Sequence, residues 1–231
     1  MAIALLFIVF GLLLLLGVPV AFALAGAALA PLLYLDVPSI VLVQQVSAGS
    51  GSASLIAIPL FIFAGELMLR GGISERLIAL ASALVGRLRG GLGQVSILSS
   101  LFFGGVSGSA IADVSAVGGT MIPQMVKRGY DRDYAVNVSI TAALVALLVP
   151  PSHNLILYSA AAGGGLSIAD LFAAGIVPAL LMTLALMVTG YVVARRRGYG
   201  VEPFPGRRAV LIRLLAALPG LGLVGLIFFG I

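Results

Sequence analysis

The chain has 231 residues, of which 61% are hydrophobic and only 9% charged. A soluble domain carries about 25% charged residues, so this chain cannot cover a water-facing surface and reads as an integral membrane protein within a lipid bilayer. Its net charge of +5 does not signal nucleic acid, because its 13 basic residues sit in three clusters beside long apolar runs, at 70–89, 127–132 and 195–213, as expected of cytoplasmic loops; zero Cys excludes a disulfide framework, thiolate metal sites and thiol catalysis.

Met1 to Leu35 is apolar almost throughout. At about 1.5 Å rise per residue it is long enough to span a bilayer once with tilt, and too short for two comfortable spans. It is predicted as one span kinked at Gly17 and Pro19. It lacks the basic start and the polar break of a cleaved signal peptide, so it is expected to be retained. Asp36 to Ser54 holds no Lys or Arg and is predicted as an outer loop, which places the N-terminus in the cytoplasm. Leu55 to Leu69 returns and ends at Gly71 and Gly72, with Glu66 read as an interfacial carboxylate. Residues 1–72 are therefore expected to be scaffold transmembrane helices. In 73–90, Ile73, Leu77, Leu80, Ala81, Leu84 and Leu88 fall on one helical face and Glu75, Arg76, Arg87 and Arg89 on the other. That pattern predicts an amphipathic arm helix lying at the cytoplasmic interface.

Two cytoplasmic clusters, ending at Arg89 and beginning at Lys127, require an even number of crossings between them. Two crossings need roughly 40 apolar residues, and the interval is shorter than that. Its halves, Leu92–Phe103 and Ala110–Met125, are separated by Gly104-Gly105-Val106-Ser107-Gly108-Ser109. A re-entrant hairpin over 91–126 fits, since non-helical backbone at membrane depth is tolerated where it is buried in protein or lines a cavity. Asp131 to Ala161 then reads as a crossing helix broken at Pro150-Pro151, where two residues without an N–H unwind it. Ala160–Gly165 is predicted as an outer loop and Ile168–Ala194 as the return, so 131–194 forms a broken helix plus a return helix. Residues 195–213 form a cytoplasmic linker. Residues 214–231 start another outward helix that stops without a polar end, which is expected of a truncated chain.

The stretch GVSGSAIADVSAVGGTMIPQMVKRGYDRDYAVNV, followed by VPPSHNLILYS and LFAAGIVPALL, closely resembles the large permease subunit of TRAP transporters (tripartite ATP-independent periplasmic transporters, the DctM type). The Ser-Gly-Ser-Ala turn, the Met-Ile-Pro then Lys-Arg-Gly-Tyr block and the Pro-Pro-Ser break occur in the family's order. The resemblance implies sodium-driven uptake of organic acid anions (C4-dicarboxylates, sialic acids, 2-oxo acids) across the bacterial inner membrane. It implies a periplasmic solute-binding protein that delivers the substrate and a small four-helix membrane subunit. It further implies an all-α membrane fold of two inverted repeats that moves as an elevator. Each repeat has multi-span helices, a re-entrant hairpin and a broken helix. This chain resembles the N-terminal half, meaning one repeat plus the start of the second. It departs from the family at His153 and Asn154, where apolar residues are common.

With that family in view, the two breaks carry the chemistry. A helix that stops leaves free carbonyls, and one that starts leaves free N–H groups; carbonyls and hydroxyls suit a hard cation, N–H groups a carboxylate. Ser107, Gly108 and Ser109 with Pro150 and Pro151 are the expected holders of the coupling Na+. Ala110, Asp113, Ser152, His153 and Asn154 are the expected substrate residues. Asp113 reads equally as a functional carboxylate at membrane depth or as a cap of the second half-helix. His153, the only His, either recognises substrate, responds to pH, or packs beside the break. Gly118, Gly119 and Gly163–Gly165 read as packing positions. Asp131, Asp133, Arg128 and Arg132 read as a solvated loop. No Gly-x-Ser-x-Gly elbow, Walker loop or metal-ligand set is present, so no enzyme and no further cofactor is expected. The alternative is a non-transporting membrane scaffold or assembly subunit.

Overall fold

The computed structural model describes all residues except Ser52, Gly163, Gly164 and Ile231, together with the side chains at 53, 54, 224 and 227–230. The packing expectation for Gly163 and Gly164 lies outside the described residues. The chain is helical, with no strand among the described residues. It divides into Met1–Ile56 and Ala57–Ile231.

In the first unit, α1 (Ala2–Leu15) and α2 (Val20–Tyr34) replace the single kinked span expected over 1–35. Gly17 takes a left-handed φ of +77°, and Pro19 stands extended at the N-cap of α2. A left-handed residue reverses the chain where a kink would only bend it. The two helices pack on one another; a Cβ on Gly26 would sit 2.9 Å from Leu13 Cδ1. The predicted loop at 36–54 is corrected too, because α3 occupies Ile40–Ser50. Its first nine residues hold no Gly or Pro, so the absence of charge there marked no loop.

In the second unit, the element that orders the rest is α6 (Gly91–Ser107), of whose 17 residues 14 are buried. Around it pack α5 (Ile73–Val85), α9 (Arg132–Ala143), α11 (Ile168–Arg196) and α12 (Arg207–Gly230). The chain also passes through α4 (Ala53–Arg70), α7 (Ala110–Asp113), α8 (Gly119–Lys127) and α10 (His153–Ala161). A π-turn over Val114–Gly118 joins α7 to α8. A 3₁₀ turn over Leu144–Leu147 follows α9. A small face lets α6 approach its neighbour; a Cβ on Gly104 would lie 2.7 Å from Ala146 Cα. Close approach through small residues is how helices associate where apolar burial gives no preference over lipid.

The arm helix differs from its expectation. It ends at Val85 rather than Arg89, and its stripe of Leu77, Leu80 and Ala81 is buried against α6 and α12. The amphipathic pattern was real, but protein covers its apolar side. Among the described residues, α11 is the one single helix long and apolar enough to cross a membrane by itself. The linker predicted over 195–213 is shorter than expected, because α12 starts at Arg207, after Gly206 (φ +92°), and so Arg207, Arg208 and Arg213 are helical.

The remaining linker is bolted down. Gly90 N–H donates to Gly200 O at 3.1 Å, and Glu202 N–H to Gly86 O at 2.9 Å. Arg128 pairs with Glu202 at 2.7 Å and Arg197 with Asp131 at 2.6 Å. Tyr199 donates its hydroxyl to Asp131 Oδ2 at 2.8 Å, and its ring lies tilted against those of Tyr130 and Tyr134. That hydroxyl, with the Arg197 guanidinium, holds the Asp131 carboxyl below the usual carboxylate range. The residues read as a solvated loop, Arg128, Asp131, Arg132 and Asp133, are exposed, and two of them, Arg128 and Asp131, are also paired in a corner joining the entry of α6 to the base of α9.

Candidate functional site: a hairpin tip against a broken helix

The first break is set by one glycine. Gly108 adopts φ +58° and closes α6 with its N–H donated to Gly104 O at 2.9 Å. Ser109 is extended, and its hydroxyl oxygen accepts from Ala112 N–H at 3.4 Å, capping the helical run that starts at Ala110. Ser107 Oγ accepts from Ser109 N–H at 3.4 Å. The chain then runs back along α6. Ser100, on the outgoing limb, donates to Asp113 Oδ2, on the returning limb, at 2.6 Å.

The second break is set by prolines. The 3₁₀ turn tightens α9, and Leu148–Ser152 is non-helical, with Pro150-Pro151 in the cis form. Ser152 is fully buried and donates its hydroxyl to Leu147 O at 2.6 Å. Helix resumes at His153.

The two breaks meet. A Cβ on Gly108 would overlap the Pro151 carbonyl oxygen and lie 3.2 Å from Ser152 Cα. The tip thus rests directly on the unwound backbone, and only glycine fits there. On its other side α4 closes in, with Gly65 placed so that a Cβ would stand 3.6 Å from Ser107 Cα. Between them lies a cavity of about 310 Å³, at the small end of ligand pockets, which run from about 300 Å³ upward. Its polar wall is Ser107, Ser109, Glu66 and His153; Ile62, Gly65, Leu69, Phe103, Ile111 and Ala112 complete it. His153 Nε2 is buried without a partner. Glu66 carries an ion pair to Arg70 at 2.9 Å and stays half-exposed.

The predicted site residues therefore separate. Ser107, Ser109 and His153 share the cavity wall, while Gly108, Pro151 and Ser152 make the contact behind it. Pro150 faces a different, almost wholly apolar cavity with Phe102, Gly105 and Ile176. Asn154 is exposed, Ala110 half-buried, and neither is on the wall. Asp113 is not on it either. It is fully buried between the limbs, with Oδ1 lacking a partner. Nor does it cap the second half-helix, since Ser109 does that. Sequence reasoning missed the contribution of α4. Its signal was present in Gly65-Glu66, a small residue beside a carboxylate inside an apolar run. Among the described residues no group of three or more His, Cys, Asp or Glu side chains could hold a metal ion. What the site offers is carbonyl and hydroxyl oxygen, one imidazole and one carboxylate.

The pattern of the family described as "Tripartite ATP-independent periplasmic transporter, DctM component" matches residues 7–231. The chain belongs to that family. Three relatives that carry a functional name are named as transporter permeases, not enzymes. The C4-dicarboxylate TRAP transporter large permease protein DctM of Vibrio cholerae is 38% identical over 233 residues, covering 100% of this chain and 51% of that protein. The sialic acid TRAP transporter large permease protein SiaM of the same species is 38% identical over 219 residues, covering 93% and 51%. The isethionate TRAP transporter permease protein DctMQ of Oleidesulfovibrio alaskensis is 40% identical over 194 residues, covering 84% and 30%. The chain thus spans about half the length of the large permeases it matches, and a smaller share of DctMQ. DctM-type permeases are embedded in bacterial membranes, in keeping with the apolar helices of this chain.

Proposed function

We propose that this chain serves as a transmembrane part of a sodium-coupled TRAP-type uptake transporter for organic acid anions in the bacterial inner membrane, its N-terminus cytoplasmic. The solute arrives on a periplasmic solute-binding protein, and a small four-helix membrane subunit completes the complex. The observation that carries the reading is the seating of Gly108 on Pro151 and Ser152. It places the carbonyls and hydroxyls of two helix breaks in one spot, which suits a hard cation stripped of water. In this reading 91–126 is re-entrant and moves with the broken helix as one elevator body.

Ser107, Gly108, Ser109 and Pro151 supply oxygen to Na+. Ser152 adds its lone pairs, since its proton is committed to Leu147 O. The substrate carboxylate lies in the cavity against Ser109 and His153. Three substrate chemistries occur among the relatives' names, so the general class is an organic anion.

The test is thermal unfolding of the purified chain in detergent at constant ionic strength. A ligand that binds only the folded state raises its stability with concentration. Sodium is expected to raise the midpoint where potassium does not, and Ser109→Ala with Ser152→Ala is expected to remove that difference. Equal midpoints in the two salts for the unaltered chain would sink the sodium assignment and leave the scaffold reading in place.

A further inference from the structure

We propose that Glu66 makes the cavity between α4 and the hairpin tip selective for a monocarboxylate carrying a cationic or hydrogen-bond-donating substituent, and selective against dicarboxylates. The inference rests on the reading of that cavity as the substrate site and narrows its substrate class.

Glu66 reaches the cavity because of the residue before it. Gly65 brings α4 into ordinary contact with the backbone of Val106 and Ser107, so the next side chain along stands at the mouth of the same space as the tip. Glu66 and His153 line one cavity with Ser107 and Ser109. Glu66 is thus the anionic group on a wall otherwise made of hydroxyls, an imidazole and apolar carbons. Arg70 pairs with Glu66 from a side chain that is 79% exposed, so the pairing does not fill the cavity.

Such a wall has a definite preference. A carboxylate held at the Ser109 and His153 end leaves the other end of a small ligand facing Glu66. A second carboxylate there meets a like charge beside a partly apolar space. An ammonium or hydroxyl there donates to Glu66 instead. Repulsion of the wrong ligand, together with attraction of the right one, gives specificity.

His153 plays the other part. Its buried Nε2 has no partner in the protein, and a buried polar atom left unpaired is costly. The ligand carboxylate supplies that partner. His153 is therefore an anchor common to all acids, and Glu66 is the discriminator among them.

Three probes that share a three-carbon acid end and differ at the far end test this: propionate, β-alanine and succinate. Binding to the purified chain in lipid nanodiscs is measured by calorimetry in sodium buffer. β-Alanine is expected to bind at least tenfold more tightly than succinate, with propionate between. Glu66→Gln should bring all three within about twofold of one another, a like-for-like removal of one charge. Arg70→Ala should widen the β-alanine preference, since it leaves Glu66 uncompensated. His153→Leu should weaken all three about equally and keep their order. Succinate binding as tightly as β-alanine, or an order unchanged in Glu66→Gln, overturns the proposal. Equal, sodium-dependent binding of all three would overturn it while leaving the carboxylate-site reading intact. No binding of any probe, with or without sodium, would overturn both.

Discussion

Helices α1 and α6 are both short and apolar, yet they have opposite fates. α1 reads AIALLFIVFGLLLL and has no buried residue. α6 reads GLGQVSILSSLFFGGVS and is buried along 14 of its 17 residues. By a water-based rule the greasier helix would be the core. In lipid the rule inverts. Leu and Phe gain nothing by leaving acyl chains for protein, whereas small residues let backbones approach and polar ones find partners only inside. Gln94, Ser96, Ser99 and Ser100 of α6 are all buried. Gln94 donates to Met187 O at 2.9 Å, and Ser96 lies 3.4 Å from the Ser139 hydroxyl. Of these two helices, the one rich in small and polar residues is buried and the one made almost wholly of bulky apolar residues is exposed.

The comparison breaks most sharply at Gly108. Gly108→Val combines a left-handed φ with overlap on the Pro151 carbonyl oxygen. The conformational cost alone is about 1–2 kcal/mol, and overpacking adds about 1–3 kcal/mol. The expected outcome is a large drop in the unfolding midpoint and loss of any sodium effect, read in one detergent melt.

Ser100→Ala is the next in size. It removes the donor to Asp113 Oδ2 at 2.6 Å from a carboxylate whose other oxygen already lacks a partner. Leaving a buried acceptor unpaired costs about 1–3 kcal/mol, so a clear loss of stability is expected although the change is one oxygen atom. Ser100→Thr, which keeps the hydroxyl, should recover part of it. A melt identical to that of the unaltered chain would show that the strut between the limbs carries no stability.

The smallest effect belongs to α1. Leu12 is 54% exposed, and Leu12→Ala deletes far more apolar volume than Ser100→Ala. Surface substitutions of this kind stay within about 0.5 kcal/mol. Its midpoint in detergent should barely move. A larger shift for Leu12→Ala than for Ser100→Ala would reverse the lesson drawn from the two helices.

Much of this molecule was legible before any coordinates. The two breaks were visible because their causes are local. Gly108 supplies a left-handed turn, and Pro150 and Pro151 lack the N–H that a helix needs. The return helix was visible because 29 residues of α11 are long and apolar enough to cross by themselves. Membership of the DctM family was visible in the order of short motifs. Other features were not. Gly17 and Pro19 suggest a kink and a reversal equally well until the two helices are seen against each other. Ile40–Ser50 looked like a loop because it lacked charge, although its first nine residues also lack helix breakers. Asp113 sits one turn beyond the tip, and its neighbours along the chain do not say which way it points. Only the antiparallel return of the limb brings it to Ser100.

What the sequence by itself determined is where the two breaks beside the site fall and that the chain is built of apolar helices, because the causes of each, backbone geometry and composition, act locally. What only the tertiary structure decided is which of those ends meet. Gly108 rests on Pro151, α4 brings Gly65 and Glu66 to the tip, and the stripe of α5 turns to protein instead of lipid. The reason is physical. In a membrane, apolar patterning does not separate a protein-facing side from a lipid-facing one, so the choice falls to shape and to polar partners far apart in the chain.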